Sequence, residues 1–189
     1  MVENDVLNLD VRRKIYDHIR KSPGLHLREL ARELNIPLST LDYHLYYLKQ
    51  RELINDRQDG RYTRYYVGGE GDVGVKEREI ISILRQSVTR SIVMFLMLNP
   101  NSSHRLVSDY IQLAPSTTTF HLNKLLKLEI VDRIQTGRET SYMVKDSERL
   151  SDLLITYRKT FFDESVDRFI ETWMGLNPQL IRKMKKEKQ

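Results

Sequence analysis

The chain has 189 residues, a net charge of +5 and a pI near 9.3, so it is long enough for two small domains and basic enough to permit, without showing, nucleic-acid binding. It has no cysteine, which excludes disulfides, thiol catalysis and cysteine-ligated zinc or iron–sulfur centres. Its longest apolar run, Ile92–Leu98, is too short to span a membrane, and Met1–Asp10 carries no leader pattern, so a cytoplasmic protein is expected.

Met1–Leu9 carries no strong signal. A first helix is expected over Asp10–Arg20, with Val11, Ile15, Tyr16 and Ile19 inward, and Ser22-Pro23-Gly24 ends it. A second follows over Leu27–Leu34, with Leu27, Leu30, Ala31 and Leu34 as its buried stripe. After the turn Asn35-Ile36-Pro37 a third helix, Ser39–Arg51, carries Leu41, Leu45 and Leu48 at the spacing of one buried face. Ser39 is expected to cap it, with Asp42 as the acidic half of a capping-box-like start. A hairpin then turns at Asp59-Gly60, between strand-like runs around Leu53–Arg57 and Tyr62–Val67.

The chain repeats this order. Slid by 77 positions, Val11–Val67 falls on Val88–Val144 without a gap. S-T-L-D-Y-H-L-Y-Y-L falls on S-T-T-T-F-H-L-N-K-L, and D-G-R-Y-T-R-Y-Y-V on T-G-R-E-T-S-Y-M-V. The second copy therefore predicts helices over Val88–Leu98, Ser102–Ile111 and Ser116–Leu128, and a hairpin turning at Thr136-Gly137. Between the copies, 68–76 is a Gly-rich linker, and Glu77–Gln86 reads as a connecting helix at the start of the second domain, 77–146. Ser147–Met174 has neither Pro nor Gly and reads as one long amphipathic helix, and the tail Arg182–Gln189 is basic. The fold class is thus mainly α with small β-hairpins (α+β): two tandem winged helix-turn-helix domains, 1–67 and 77–146, and a C-terminal helix with its tail at 147–189.

Opposite the leucine stripe, the third helix shows Ser39, Tyr43, Tyr46 and Gln50, with Thr40 and Tyr47 beside them. In a winged helix this face enters the major groove. Gln pairs with adenine, and Thr or a tyrosine edge packs on a thymine methyl. The wing, 55–66, offers Arg57, Arg61 and Arg64, with Arg61 beside the turn the first choice for a phosphate or minor-groove contact. A tyrosine-rich face also suits a contact between domains or with a second chain. In the second copy the corresponding residues are Ser116, Thr117, Asn123, Lys124 and Lys127, with Arg138 on the wing; Phe120 in place of Tyr43 leaves DNA and protein both open there. Residues 10–67 carry 12 Lys/Arg against 8 Asp/Glu, and residues 77–146 carry 9 against 7, which favours the first copy for phosphate contacts. Arg28 and Arg105 match at the start of the second helix, as phosphate contacts or as surface ion pairs. His44 and His121 match as hydrogen-bonded structural histidines.

The phrase L-R-E-L-A-R-E-L-N-I-P-L-S-T-L-D-Y-H-L-Y-Y-L-K-Q-R-E-L-I resembles the DNA-binding core of ArsR- and MarR-type regulators, over about 57 residues and again, more weakly, at 88–144. The tandem layout is similar to that of archaeal tandem winged-helix regulators, the euryarchaeal archaellum-gene regulators among them. The resemblance implies a sequence-specific transcriptional regulator with double-stranded DNA as partner. It also implies a homodimer formed through the C-terminal helix by Leu150, Leu154, Tyr157, Phe161, Phe169 and Trp173; the alternative is that this helix packs back on the second copy. The competing reading is a protein-binding tandem winged helix, as in chromosome-segregation or transcription-machinery complexes. No Gly-rich phosphate loop, nucleophile motif or ligand cluster is present in the sequence, so neither an enzyme nor a metal or other cofactor is expected.

Overall fold

The computed structural model describes residues 10–68, 74–158, 161 and 163–178. The N-terminal extension Met1–Leu9, linker residues 69–73 and the tail Arg182–Gln189 lie outside them. Two compact units divide the chain, residues 1–82 and residues 83–189.

The first unit contains α1 (Asp10–Lys21), β1 (Leu25–His26), α2 (Leu27–Leu34), α3 (Leu38–Gln50), β2 (Ile54–Asp59), β3 (Tyr62–Val67) and most of α4 (Val75–Leu84). The second contains α5 (Ser87–Leu98), β4 (Ser102–Ser103), α6 (His104–Ile111), α7 (Pro115–Lys127), β5 (Val131–Thr136), β6 (Glu139–Val144), α8 (Ser147–Thr156) and α9 (Glu164–Leu176). Every element from α1 to β3 recurs 77 positions later with the same bounds. The backbone repeats in its left-handed residues as well. Gly24, Asn35, Glu52 and Gly60 have φ of 81°, 52°, 57° and 59°; Asn101, Gln112, Glu129 and Gly137 have 63°, 53°, 54° and 63°.

The core of the first unit forms where the expected stripes meet. Ile15 and Ile19 of α1, Leu30 of α2 and Leu41, Leu45 and Leu48 of α3 are all buried, and Leu25, Ile54 and Val67 close the cluster from the strands. In the second unit Ile92, Leu96, Val107, Leu122 and Leu125 take the same places. Thr118 stands where Leu41 does; its hydroxyl is satisfied by the Ala114 carbonyl at 3.2 Å, one helical turn back.

Each wing is a three-stranded antiparallel sheet, ordered β1-β3-β2 and β4-β6-β5. The hairpins match the sequence expectation, but the third strand does not come from a pattern. Leu25 and His26 pair with Tyr65 and Arg64, a strand too short to show alternation. The turn residues also shift by one. Asp59 pairs with Tyr62, so the turn is Gly60-Arg61, with glycine first at the left-handed position.

Two helix boundaries differ from expectation. Helix α3 starts at Leu38 behind Pro37, and no side chain caps it, so Ser39 and Asp42 are free of that duty. The capping box sits instead on α2, where His26 N–H donates to Glu29 at 2.9 Å and Glu29 N–H donates to His26 Nδ1 at 3.3 Å. The helix expected over Ser147–Met174 is two helices. Tyr157 ends α8, and Asp163 caps α9 by accepting from Ser165 N–H at 2.9 Å. The break is held by Arg90, whose guanidinium bonds Asp163, donates to the Leu84 carbonyl at 2.7 Å and stands over the Phe161 ring.

The connecting helix α4 also divides differently. Its Ser82 hydroxyl donates to Asp59 at 2.9 Å and its Glu79 pairs with Arg57 at 2.8 Å, so α4 up to Ser82 belongs with the first wing rather than the second domain.

Candidate nucleic-acid interface

Helix α3 turns the leucine stripe inward, so the opposite face must be exposed. Tyr43 is 60% and Tyr46 64% exposed, and Ser39, Thr40 and Gln50 are open beside them. Two large aromatic rings thus stand in water on one helix face. Tyr47 is different. Its ring lies half-buried under the Arg12 guanidinium at 3.6 Å, with Arg51 at 5.6 Å on the helix end, so it packs rather than reads.

A cleft of about 530 Å³ opens between the start of α2, the first turns of α3 and the wing tip. Arg28 and Arg61 stand on it, both exposed, and Asp42 marks its inner edge. The wing tip is braced: Gln58 donates to the Gly60 carbonyl at 2.8 Å, Thr63 donates to Gln58 at 3.0 Å, and Tyr62 stacks on His26 with centroids 4.5 Å apart. These bonds fix the backbone from which Arg61 projects. Burial, then the carboxylates of Asp42 and Asp56, push the Tyr65 phenol above its ordinary 10.0, so it remains a neutral donor.

The wing arginines separate into three roles. Arg61 is exposed. Arg57 is exposed but held by Glu79. Arg64 faces inward: it is buried, pairs with Asp59 at 2.8 Å and donates to the Gly24 carbonyl at 2.8 Å. It is therefore corrected from a DNA contact to an internal clasp between β3, the wing and the α1–β1 turn. The ion pair with Asp59 and the bond to the Gly24 carbonyl are what hold Arg64 inward.

In the second unit, Ser116, Asn123, Lys127 and Arg138 are exposed and Thr117 is half-buried. Lys124 donates to Gln86 at 3.1 Å. Arg105 lies within 3.7 Å of Asp109, an exposed pair of little energetic weight. Phe120 is 64% exposed, and Leu106, Tyr110 and Ile134 are exposed too. His44 and His121 occupy equivalent sites against α1 and α5, each edge-on to the ring before it. Among the described residues their Nδ1 atoms have no hydrogen-bond partner, contrary to expectation. Burial, then Arg12 in one case and Lys124 in the other, lowers both from the ordinary 6.5, so both are neutral imidazoles.

The expected dimer face is largely spent inside the second unit. Leu150, Leu154, Phe161 and Phe169 are buried in their own chain, leaving Tyr157 and Trp173 half-exposed. The apolar side expected over Ser147–Met174 is thus divided between α8 and α9. Among the described residues no cluster of three or more His, Asp or Glu is placed to hold a metal. No single described helix is long and apolar enough to cross a membrane.

Two such units in one chain make this a tandem winged helix-turn-helix protein. Residues 9–80 match the family model of the HVO_0163-type N-terminal HTH domain. An uncharacterized HTH-type transcriptional regulator of Methanocaldococcus jannaschii, MJ1398, is 33% identical over 145 residues, 77% of this chain and 36% of that protein. The chain thus spans about a third of the length of that relative. Among solved structures, a zinc-responsive MarR family member of Lactococcus lactis, ZitR, covers 55% of this chain and 76% of its own at 15% identity and a TM-score of 0.33. The DIP2311 protein of Corynebacterium diphtheriae covers 71% of this chain and 26% of its own, at 15% identity and a TM-score of 0.29. Likeness at that level carries no argument about this chain.

Proposed function

We propose that the chain is a sequence-specific, double-stranded-DNA-binding transcriptional regulator acting in the cytoplasm, not an enzyme. The observation that carries this reading is the first unit's outer face: an exposed α3 bearing Tyr43, Tyr46 and Gln50, flanked across one cleft by Arg28 and Arg61, which have no ion-pair partner among the described residues. In this reading Arg28 and Arg61 hold phosphates and supply affinity. Gln50, Thr40 and the tyrosine edges meet base edges and supply selectivity. The regulator-type relative supports the same assignment. Two readers in one chain would engage two half-sites without a second chain.

The test is binding to duplex DNA across a salt series, comparing wild type with a Tyr43→Ala/Gln50→Ala/Arg61→Ala variant. The wild type should lose affinity with a slope of about −0.9 per phosphate engaged, and the variant should keep only weak, sequence-indifferent binding. No binding even at low salt would sink the reading.

A second reading attaches to the second unit alone. Phe120, Leu106 and Ile134 put apolar side chains where the first unit has Tyr43, Glu29 and Arg57. Such a face suits a protein partner. A Phe120→Ala/Asn123→Ala/Lys127→Ala variant that binds duplex DNA like wild type would favour it.

A further inference from the structure

We propose that Asp42 of α3 reads a cytosine, so that the first unit demands a G·C pair at one position of its site. The inference rests on the DNA-binding reading and adds the base to it. Asp42 is exposed and lines the cleft that also holds Arg28 and Arg61. It caps no helix end and lies beyond the first turn of α3, where the helix dipole no longer favours an acid. Among the described residues it makes no hydrogen bond or ion pair. The second unit shows that the fold does not need an acid here. Thr119 stands at the matching position, 77 residues on. Its hydroxyl donates to the Pro115 carbonyl at 2.9 Å and lies 2.9 Å from His104 Nε2, so it is occupied within its own unit.

A carboxylate only accepts hydrogen bonds. Beside a phosphate backbone it also repels, so it weakens binding to any duplex that offers it no donor. In the major groove guanine presents O6 and N7 and thymine presents O4, all acceptors, and adenine sets an N7 acceptor beside its N6 donor. Cytosine presents its N4 donor with no acceptor on the same base. Asp42 thus selects by attraction to one base and by repulsion of the others. Ser39, three residues before it, and Tyr46, four after, share its side of α3 and are exposed, which puts the cytosine inside the stretch that the helix would touch.

The test is selection of duplexes from a randomised pool, at one fixed salt concentration, by the full chain as wild type, Asp42→Ala and Asp42→Asn. Wild type should fix cytosine at one position, and replacing that C·G pair by T·A should weaken binding about tenfold. Asp42→Ala should enrich the same site with that position left open, and the same replacement should then cost less than about twofold. It should also bind duplex lacking the cytosine more tightly than wild type does, because a charge facing phosphates is gone. Asp42→Asn keeps the shape of the side chain and should shift the position to adenine, whose N6 and N7 suit an amide. Variant sites identical to the wild-type site at every position, or a wild-type site with no fixed cytosine, would overturn the inference and leave the DNA-binding reading standing. No enrichment of any duplex by wild type would overturn both.

Discussion

The two winged units share a backbone and differ in what they show to the outside. Every left-handed residue of the first among the described ones, from Gly24 to Gly60, has its partner in the second. Most of the first unit's buried leucines and isoleucines have a buried apolar residue at the matching position of the second, Leu25 (Ser102) and Leu41 (Thr118) being exceptions. Yet Tyr43, Tyr46 and Gln50 face Phe120, Asn123 and Lys127, and the clasp of Arg64, Asp59 and Glu29 becomes Ser141, Thr136 and Leu106. The comparison teaches that the fold tolerates two unrelated outer faces, because packing and left-handed turns specify it while the exposed sides of α3 and α7 specify nothing about it.

The sharpest break in the comparison is at Arg90. Its counterpart Arg13 lies exposed, whereas Arg90 is 3% exposed and bonded to Asp163. Chemical denaturation of Arg90→Ala should show a loss of about 3 kcal/mol, the cost of leaving one partner of a buried pair alone, against no more than about 0.5 kcal/mol for Arg13→Ala. Equal losses would mean that the Arg90 staple is not structural. A smaller effect should be shared. Gly60→Ala and Gly137→Ala meet nothing within 4 Å, so only the left-handed φ opposes them, at about 1 kcal/mol each. Unequal values would show that the two wing turns are not equivalent. The smallest effect is a pH slope. His44 and His121 have folded pKa values below 6.5, so the unfolded chain binds more protons once the pH drops below that value. Their contribution is complete above about pH 6.5 and declines as the pH falls further. Thermal midpoints from pH 7 to 5 should fall less in a His44→Gln/His121→Gln variant than in wild type.

A second, more acidic transition follows from Asp163. Burial alone would raise its carboxyl, but hydrogen bonds from Arg90 and Ser165 outweigh this and hold it below 3.8. The pair is therefore intact above that pH and is lost only as the pH falls below it.

Much of this was legible in the residues. Leu41, Leu45 and Leu48 name the buried side of α3, and by subtraction the exposed one. The 77-residue repeat carries the assignment to the second unit. What stayed hidden has long-range causes. The break before α9 contains neither Pro nor Gly, and Asp163 at its end is bonded by Arg90, 73 positions away. Arg64 belongs to the basic wing by composition, and only its bonds to Asp59 and the Gly24 carbonyl show which way it faces. Tyr47 looks like a reader on a helical wheel until Arg12 arrives from another helix.

The unbroken 77-residue register has an engineering consequence. Helix α3 or α7 moved from one unit to the other would meet a loop of the same length and handedness at each end. If the chain reads DNA as proposed, specificity is a cassette of a few outward side chains, exchangeable between two sockets. A protein with both sockets carrying Tyr43, Tyr46 and Gln50 in place of Phe120, Asn123 and Lys127 would then ask one DNA question twice.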